Sequence, residues 1–97
     1  MFGLEEKHFT FLLNILKKYA PNAKHFVFGS RAKGNYNQYS DIDIALKSKD
    51  EILPIETLDK IRLEFDNSTF PYEIDIIDLN SIDDNFKNII KDSLIEF

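Results

Sequence analysis

Three short runs dense in β-branched and aromatic residues, at 25–28, 41–46 and 72–78, are separated by stretches whose apolar residues recur at three- and four-residue steps. Strand and helix periods that alternate in this way call for an α/β layer domain, because each sheet face needs a helix to cover it. At 97 residues the chain is expected to form one such domain, 1–97, around one core. Its 43% apolar share and nine phenylalanines suffice to fill that core.

Residues 4–19 read as a helix. Leu4, His8, Phe9, Leu12, Leu13, Ile15, Leu16 and Tyr19 share a face, with Glu5 and Glu6 near the start and Lys17 and Lys18 near the end, as the helix dipole favours. Pro21 stops it. One helical turn is expected after Gly29, capped by Ser30 and ended by Gly34. Pro54 opens a further helix with Ile55, Leu58, Ile61 and Phe65 as its buried stripe. Ser81 and Asp84 resemble a capping box ahead of a last amphipathic helix, whose apolar face holds Phe86, Ile89, Ile90 and Leu94. The pattern at 94–97 fits either more helix or a short edge strand, and 47–53 reads as a solvated, charged connection.

Charge and composition exclude several classes of function. A net charge of −5 opposes general binding to nucleic-acid backbone, which needs basic surface to displace counterions. The absence of cysteine removes disulfides and thiolate metal sites and fits a cytoplasmic protein. The N-terminal MFGLEEKHF carries acids where a secretory leader would be basic and then apolar, and no apolar run approaches the length of a membrane span. His8 on the apolar stripe and His25 at a strand start have no ligand partner at useful spacing, so both are expected to be structural.

The informative stretch is FVFGSRAKGNYNQYSDIDIALK, residues 26–47. Asp41 and Asp43 stand at i and i+2 of a strand and so project from one face, with Ile42, Ile44 and Leu46 on the other. Carboxylates held that close repel unless a cation lies between them. Mg²⁺ suits such a site, since it takes hard oxygen ligands from a few carboxylates and from substrate phosphates. Paired ions can activate an attacking oxygen and stabilise a leaving one. Asp75, central in the third strand, is the natural third acid, with Glu73 and Asp78 as its neighbours and rivals. In the turn, Gly29 lets the backbone approach a phosphate, Ser30 offers a hydroxyl at the start of a helical turn, and Arg31 and Lys33 add local positive charge. Lys33, Tyr36 and Tyr39 read more simply as surface residues.

Gly-Ser, ten residues, then Asp-x-Asp is a specific pattern, and GSRAKGNYNQYSDIDIAL resembles the DNA polymerase β-like nucleotidyltransferase superfamily, most of all its minimal nucleotidyltransferase branch. The resemblance covers essentially the whole chain. It implies the nucleotidyltransferase fold, an α/β (α+β) domain with a small mixed sheet flanked by helices in the order α-β-(short α)-β-α-β-α. It also implies transfer of AMP from ATP, with one or two Mg²⁺ ions and loss of pyrophosphate. By motif position, Gly29, Ser30 and Arg31 would bind the nucleotide, and Asp41, Asp43 and Asp75 would be catalytic acids and metal ligands. Members of this branch pair with an all-helical HEPN toxin, which they neutralise by adenylylating a tyrosine. A HEPN protein is thus the partner and acceptor the resemblance implies, in the cytoplasm. Lys33 departs from the second arginine of many relatives and loses a bidentate donor.

Larger superfamily members grip base and acceptor with an added helical domain, for which this chain has no room. A homo- or hetero-oligomer is therefore expected to complete the site. The alternative is an antitoxin or nucleotide-binding module that acts by binding alone. Haloacid-dehalogenase-like phosphatases also carry Asp-x-Asp, but at the end of a strand, whereas here the pair begins one and the Gly-Ser turn would go unexplained.

Overall fold

The computed structural model describes residues 1–49 and 51–97. In chain order its elements are α1 (Glu6–Tyr19), β1 (Lys24–Phe28), α2 (Ser30–Lys33), β2 (Ile42–Lys47), α3 (Ile55–Asp66), β3 (Ile74–Asp78), α4 (Asp84–Ile90), a 3-10 turn (Lys91–Ser93) and β4 (Ile95–Glu96). The strands form one mixed sheet in the order β3-β2-β1-β4. β2 runs parallel to β3 across the α3 crossover, whereas β1 is antiparallel to both β2 and β4.

Alternation along the strands divides the core in two. Ile42, Ile44 and Leu46 of β2 and Ile76 of β3 face Leu12, Ile15 and Leu16 of α1 and Ile61 and Phe65 of α3. Six of these side chains, Leu12, Leu16, Ile42, Ile44, Leu46 and Ile61, are no more than 1% exposed, and each contributes about 1.5–3 kcal/mol by leaving water. On the other face, Phe28 and Ala45 pack with Leu79 and Ile90, joined by Phe26, Ile77 and Leu94. Asp43 and Asp75 share the strand parity of Ala45 and Ile77, so the sheet presents them on this second face, beyond the part that α4 covers.

Several expectations are corrected. The first helix begins at Glu6, with Leu4 buried ahead of it in a turn closed by Leu4 N–H donating to Met1 O. Gly29, not Ser30, occupies the cap position of α2. Asp83, not Ser81, caps α4, its carboxylate accepting from Phe86 N–H at 2.8 Å, because Ser81 is spent on the turn at Asp78 O. Ile55 and Ile89 are both 75% exposed rather than buried, since each lies at the solvent edge of its helix stripe. The open choice at 94–97 resolves as an edge strand, Ile95 opposite Val27 and Glu96 opposite Phe26.

In the 47–53 connection, Asp50 lies outside the described residues. Ser48 there is 8% exposed rather than solvated, its hydroxyl donating to Glu51 O. His25 is buried against Phe97 with Nε2 unpartnered, and burial followed by the charge of Lys17 lowers its pKa. His8 meets Phe70 and Tyr72 edge-on.

Candidate active site

The site lies where β1, β2 and β3 end side by side. Phe28, Asp43 and Asp75 are successive register partners across the three strands. Gly29 follows Phe28 at φ 72° and ψ −151°, a backbone region essentially reserved for glycine. Its missing side chain has a second use, because a methyl group there would collide with Oδ2 of Asp43. The Gly-Ser turn and the Asp-x-Asp strand, ten residues apart in sequence, are therefore in direct contact. Ser30 is the first residue of α2 and partly buried.

Among the acids, Asp43 is partly buried while Asp41 and Asp75 are exposed. Burial first, then the charge and hydrogen bond of Asp75, then the charge of Asp41, push the Asp43 carboxyl up to about 6. The pair crowds negative charge that it does not itself neutralise. Among the described residues no group of three or more His, Asp or Glu side chains is gathered tightly enough to enclose a metal ion unaided. Mg²⁺ is usually bound through one or two carboxylates plus substrate phosphates and water rather than by an all-protein cage. Asp43 and Asp75, in register and close enough to raise the Asp43 pKa, offer oxygen donors of that kind.

The rivals of Asp75 are placed differently. Asp78 is 2% exposed at the far end of the strand, opposite Leu46, and its two oxygens accept from Leu53 N–H (2.7 Å) and Asn80 N–H (2.9 Å). It is spent on holding two loops. Glu73 precedes β3 and is exposed, and its main-chain oxygen accepts from Ile42 N–H at 2.9 Å.

Arg31, expected to bind the nucleotide, has a side chain turned into the protein. It is 2% exposed. Nε and Nη2 donate to Ser40 O at 3.1 and 3.0 Å, and Nη1 donates to Phe2 O at 2.9 Å. The guanidinium centre stands 5.0 Å from the ring of Tyr36 and 4.8 Å from that of Tyr72. Three of its five N–H donors are thus used within the protein, and the side chain is almost wholly buried. No sequence signal could have shown this, since its partners are two main-chain carbonyls and two rings from four separate places in the chain. Lys33 is exposed, as is Tyr39 at 82%, whereas Tyr36 is partly packed.

Sequence reasoning also missed a cavity of about 360 Å³ that reaches Asp75. Phe65, Phe70 and Tyr72 form part of its wall, with Arg62, which donates to Ile76 O at 3.0 Å. The arrangement thus sets a Gly-Ser turn against one carboxylate, with a second carboxylate in register beside it and a cavity along the edge of β3.

Comparison with known proteins identifies the family and the fold. The family model described as "Polymerase beta, Nucleotidyltransferase" matches residues 11–95. "Probable protein adenylyltransferase MntA" of Haemophilus influenzae is 30% identical over 88 residues, which is 91% of this chain and 76% of that protein. A toxin–antitoxin crystal structure with AMP-PNP contains a chain that superimposes with a TM-score of 0.74 at 21% identity, over 96% of this chain and 72% of that one. A chain from the tri-AMPylated Shewanella oneidensis HEPN toxin in complex with its MNT antitoxin gives a TM-score of 0.69 at 18% identity, over 96% and 71%. At such identities these two structures establish the fold. The family match and the MntA relative carry the assignment, and the chain belongs to the polymerase β-type nucleotidyltransferases, on their MntA-like branch.

Proposed function

We propose that residues 1–97 act as a single minimal nucleotidyltransferase domain that moves AMP from ATP to a hydroxyl of a partner protein, a HEPN toxin, as the antitoxin of that pair in the cytoplasm. The observation that carries this reading is the direct contact between the Gly29-Ser30 turn and the Asp43 carboxylate, with Asp75 beside it in register. Main-chain N–H groups after Gly29 and the Ser30 hydroxyl hold the triphosphate. Asp41, Asp43 and Asp75 would hold Mg²⁺, as one ion or two, which supplies charge neutralisation for the triphosphate and the leaving pyrophosphate. Asp75, in register with Asp43, takes the proton from the acceptor hydroxyl. The Haemophilus influenzae relative, described as a probable protein adenylyltransferase, supports a protein as acceptor, and the AMP-PNP and AMPylated-toxin complexes support ATP and a HEPN partner. The net charge of −5 speaks against a nucleic-acid acceptor.

Neutralisation by binding alone is the second reading. Ile89 at 75%, Ile95 at 42% and Phe86 at 36% exposure favour it, because they offer apolar surface outside the acidic site. Both readings make the partner part of a hetero-oligomer. The test is label transfer from α-labelled ATP with Mg²⁺ into a lysate containing the partner, for wild type beside the Asp41→Asn, Asp43→Asn double variant. Enzymatic neutralisation predicts a labelled protein band with wild type only, and mass spectrometry of that band identifies the acceptor residue. Absence of any band together with neutralisation by both proteins would establish the binding mode.

A further inference from the structure

We infer that Arg31 is a positioning residue, which fixes the loop that presents Asp41 by clamping the Ser40 carbonyl, and that it does not bind the nucleotide. The inference rests on the placement of Asp41 in the site. Asp41 lies one residue ahead of β2, outside the ladder that holds Asp43. Its two flanking peptide groups are nevertheless both tied. The carbonyl before it, Ser40 O, accepts two hydrogen bonds from Arg31, and the N–H after it, on Ile42, donates to Glu73 O. The loop adds its own closure, with Asn37 N–H donating to Ser40 Oγ at 2.9 Å and Tyr39 N–H to Asn37 Oδ1 at 2.7 Å.

The clamp reaches further than one loop. Arg31 adjoins Ser30 in sequence, and its guanidinium lies over Tyr72, three residues before Asp75. Its third bond, to Phe2 O, ties in the N-terminal turn, whose Gly3 lies against the Tyr36 ring. One buried cation thereby joins the segments that carry Ser30, Asp41 and Asp75. A planar fork is needed for this. Two donors converge on one carbonyl while a third reaches another and two rings contact the guanidinium, a geometry that the ammonium of lysine cannot reproduce. Carbonyl dipoles and ring faces surround the guanidinium, an environment that favours a delocalised planar cation.

The test compares wild type with Arg31→Lys and Tyr36→Leu, using two readouts. Amide hydrogen exchange needs neither nucleotide nor acceptor. In Arg31→Lys the hydrogen-bonded amides of Ser40 and Ile42 are expected to exchange about tenfold faster relative to those of Val27 and Leu46, which report opening of the sheet as a whole. In steady-state AMP transfer, kcat is expected to fall about tenfold or more while KM for ATP stays within about threefold, the signature of a misplaced acid rather than a lost phosphate ligand. Unchanged relative exchange overturns the inference, as does a KM raised about tenfold with kcat preserved. Should Arg31→Lys not fold, Tyr36→Leu removes one ring from the guanidinium and is expected to speed the same amides about threefold, with no change again overturning the inference. If wild type transfers no AMP at all, the transfer reading fails, while the exchange result still decides whether Arg31 sets the loop.

Discussion

Gly29 and Asp43 touch: the α-carbon of the glycine faces the carboxylate so closely that no side chain fits between them. The glycine of the Gly-Ser turn therefore has two requirements, its left-handed φ of 72° and the room it leaves for an acid fourteen residues later. Gly29→Ala should cost at least about 2 kcal/mol, from strain in a glycine-only backbone region together with displacement of the carboxylate. Urea denaturation measures this as a lowered midpoint with an unchanged slope. A variant as stable as wild type would mean that the turn does not hold this conformation.

Asp43 sets a pH dependence. Its folded-state pKa of about 6 exceeds the ordinary 3.8, so the native state binds this proton more tightly than the unfolded chain does. The cost of keeping the carboxylate charged is fully present above about 6, shrinks as pH falls, and is absent below 3.8. Asp43→Asn should therefore stabilise the metal-free protein at pH 7.5 by about 1 kcal/mol after solvent screening, and should match wild type near pH 3.5. The same variant should lose the rise in melting temperature that Mg-ATP gives wild type. Melting curves across pH, with and without Mg-ATP, check both statements; destabilisation at pH 7.5 would contradict the crowding of Asp43 by Asp75.

The placement of these acids shows how far the sequence could be read. Period-2 alternation in DIDIAL and EIDII put Asp43 and Asp75 opposite the aliphatic side of their strands, and the parallel register pairs the two, whereas Asp41, read as part of the strand, lies one residue ahead of β2. The main helices were legible for the same reason, since Leu12, Leu16, Ile61 and Phe65 repeat at helical spacing. Reading failed where tertiary contacts outvote local pattern. Ile89 keeps the period of α4 but faces solvent, and Ser81 looks like a cap but is used by the turn after β3. Arg31 failed most instructively. Beside a Gly-Ser turn an arginine reads as an anion ligand, whereas its hydrogen-bond partners here, Phe2 O and Ser40 O, are main-chain atoms that no residue pattern encodes.

Asp78 separates structural from site carboxylates. Asp78→Ala would strand the partly buried Leu53 and Asn80 N–H groups and should destabilise the protein by about 2–4 kcal/mol. At a temperature where it remains folded, it should bind Mg-ATP as wild type does, because Asp78 lies at the opposite end of β3 from Ile74 and the Asp43 pairing. Calorimetric titration of Mg-ATP decides the point. Loss of binding in folded protein would move the metal site toward Asp78.

The central claim, nucleotidyl rather than phosphoryl transfer at this site, is tested most directly by running two labels in parallel. Purified protein and its protein partner are incubated with Mg²⁺ and either α-labelled or γ-labelled ATP. Attack at the α-phosphorus leaves AMP on the acceptor and releases the γ-label with pyrophosphate. The account therefore predicts label on the partner from α-labelled ATP only, and none when Asp41 and Asp43 are both changed to Asn. Label on the partner from γ-labelled ATP, or transfer that survives the double variant, would contradict it.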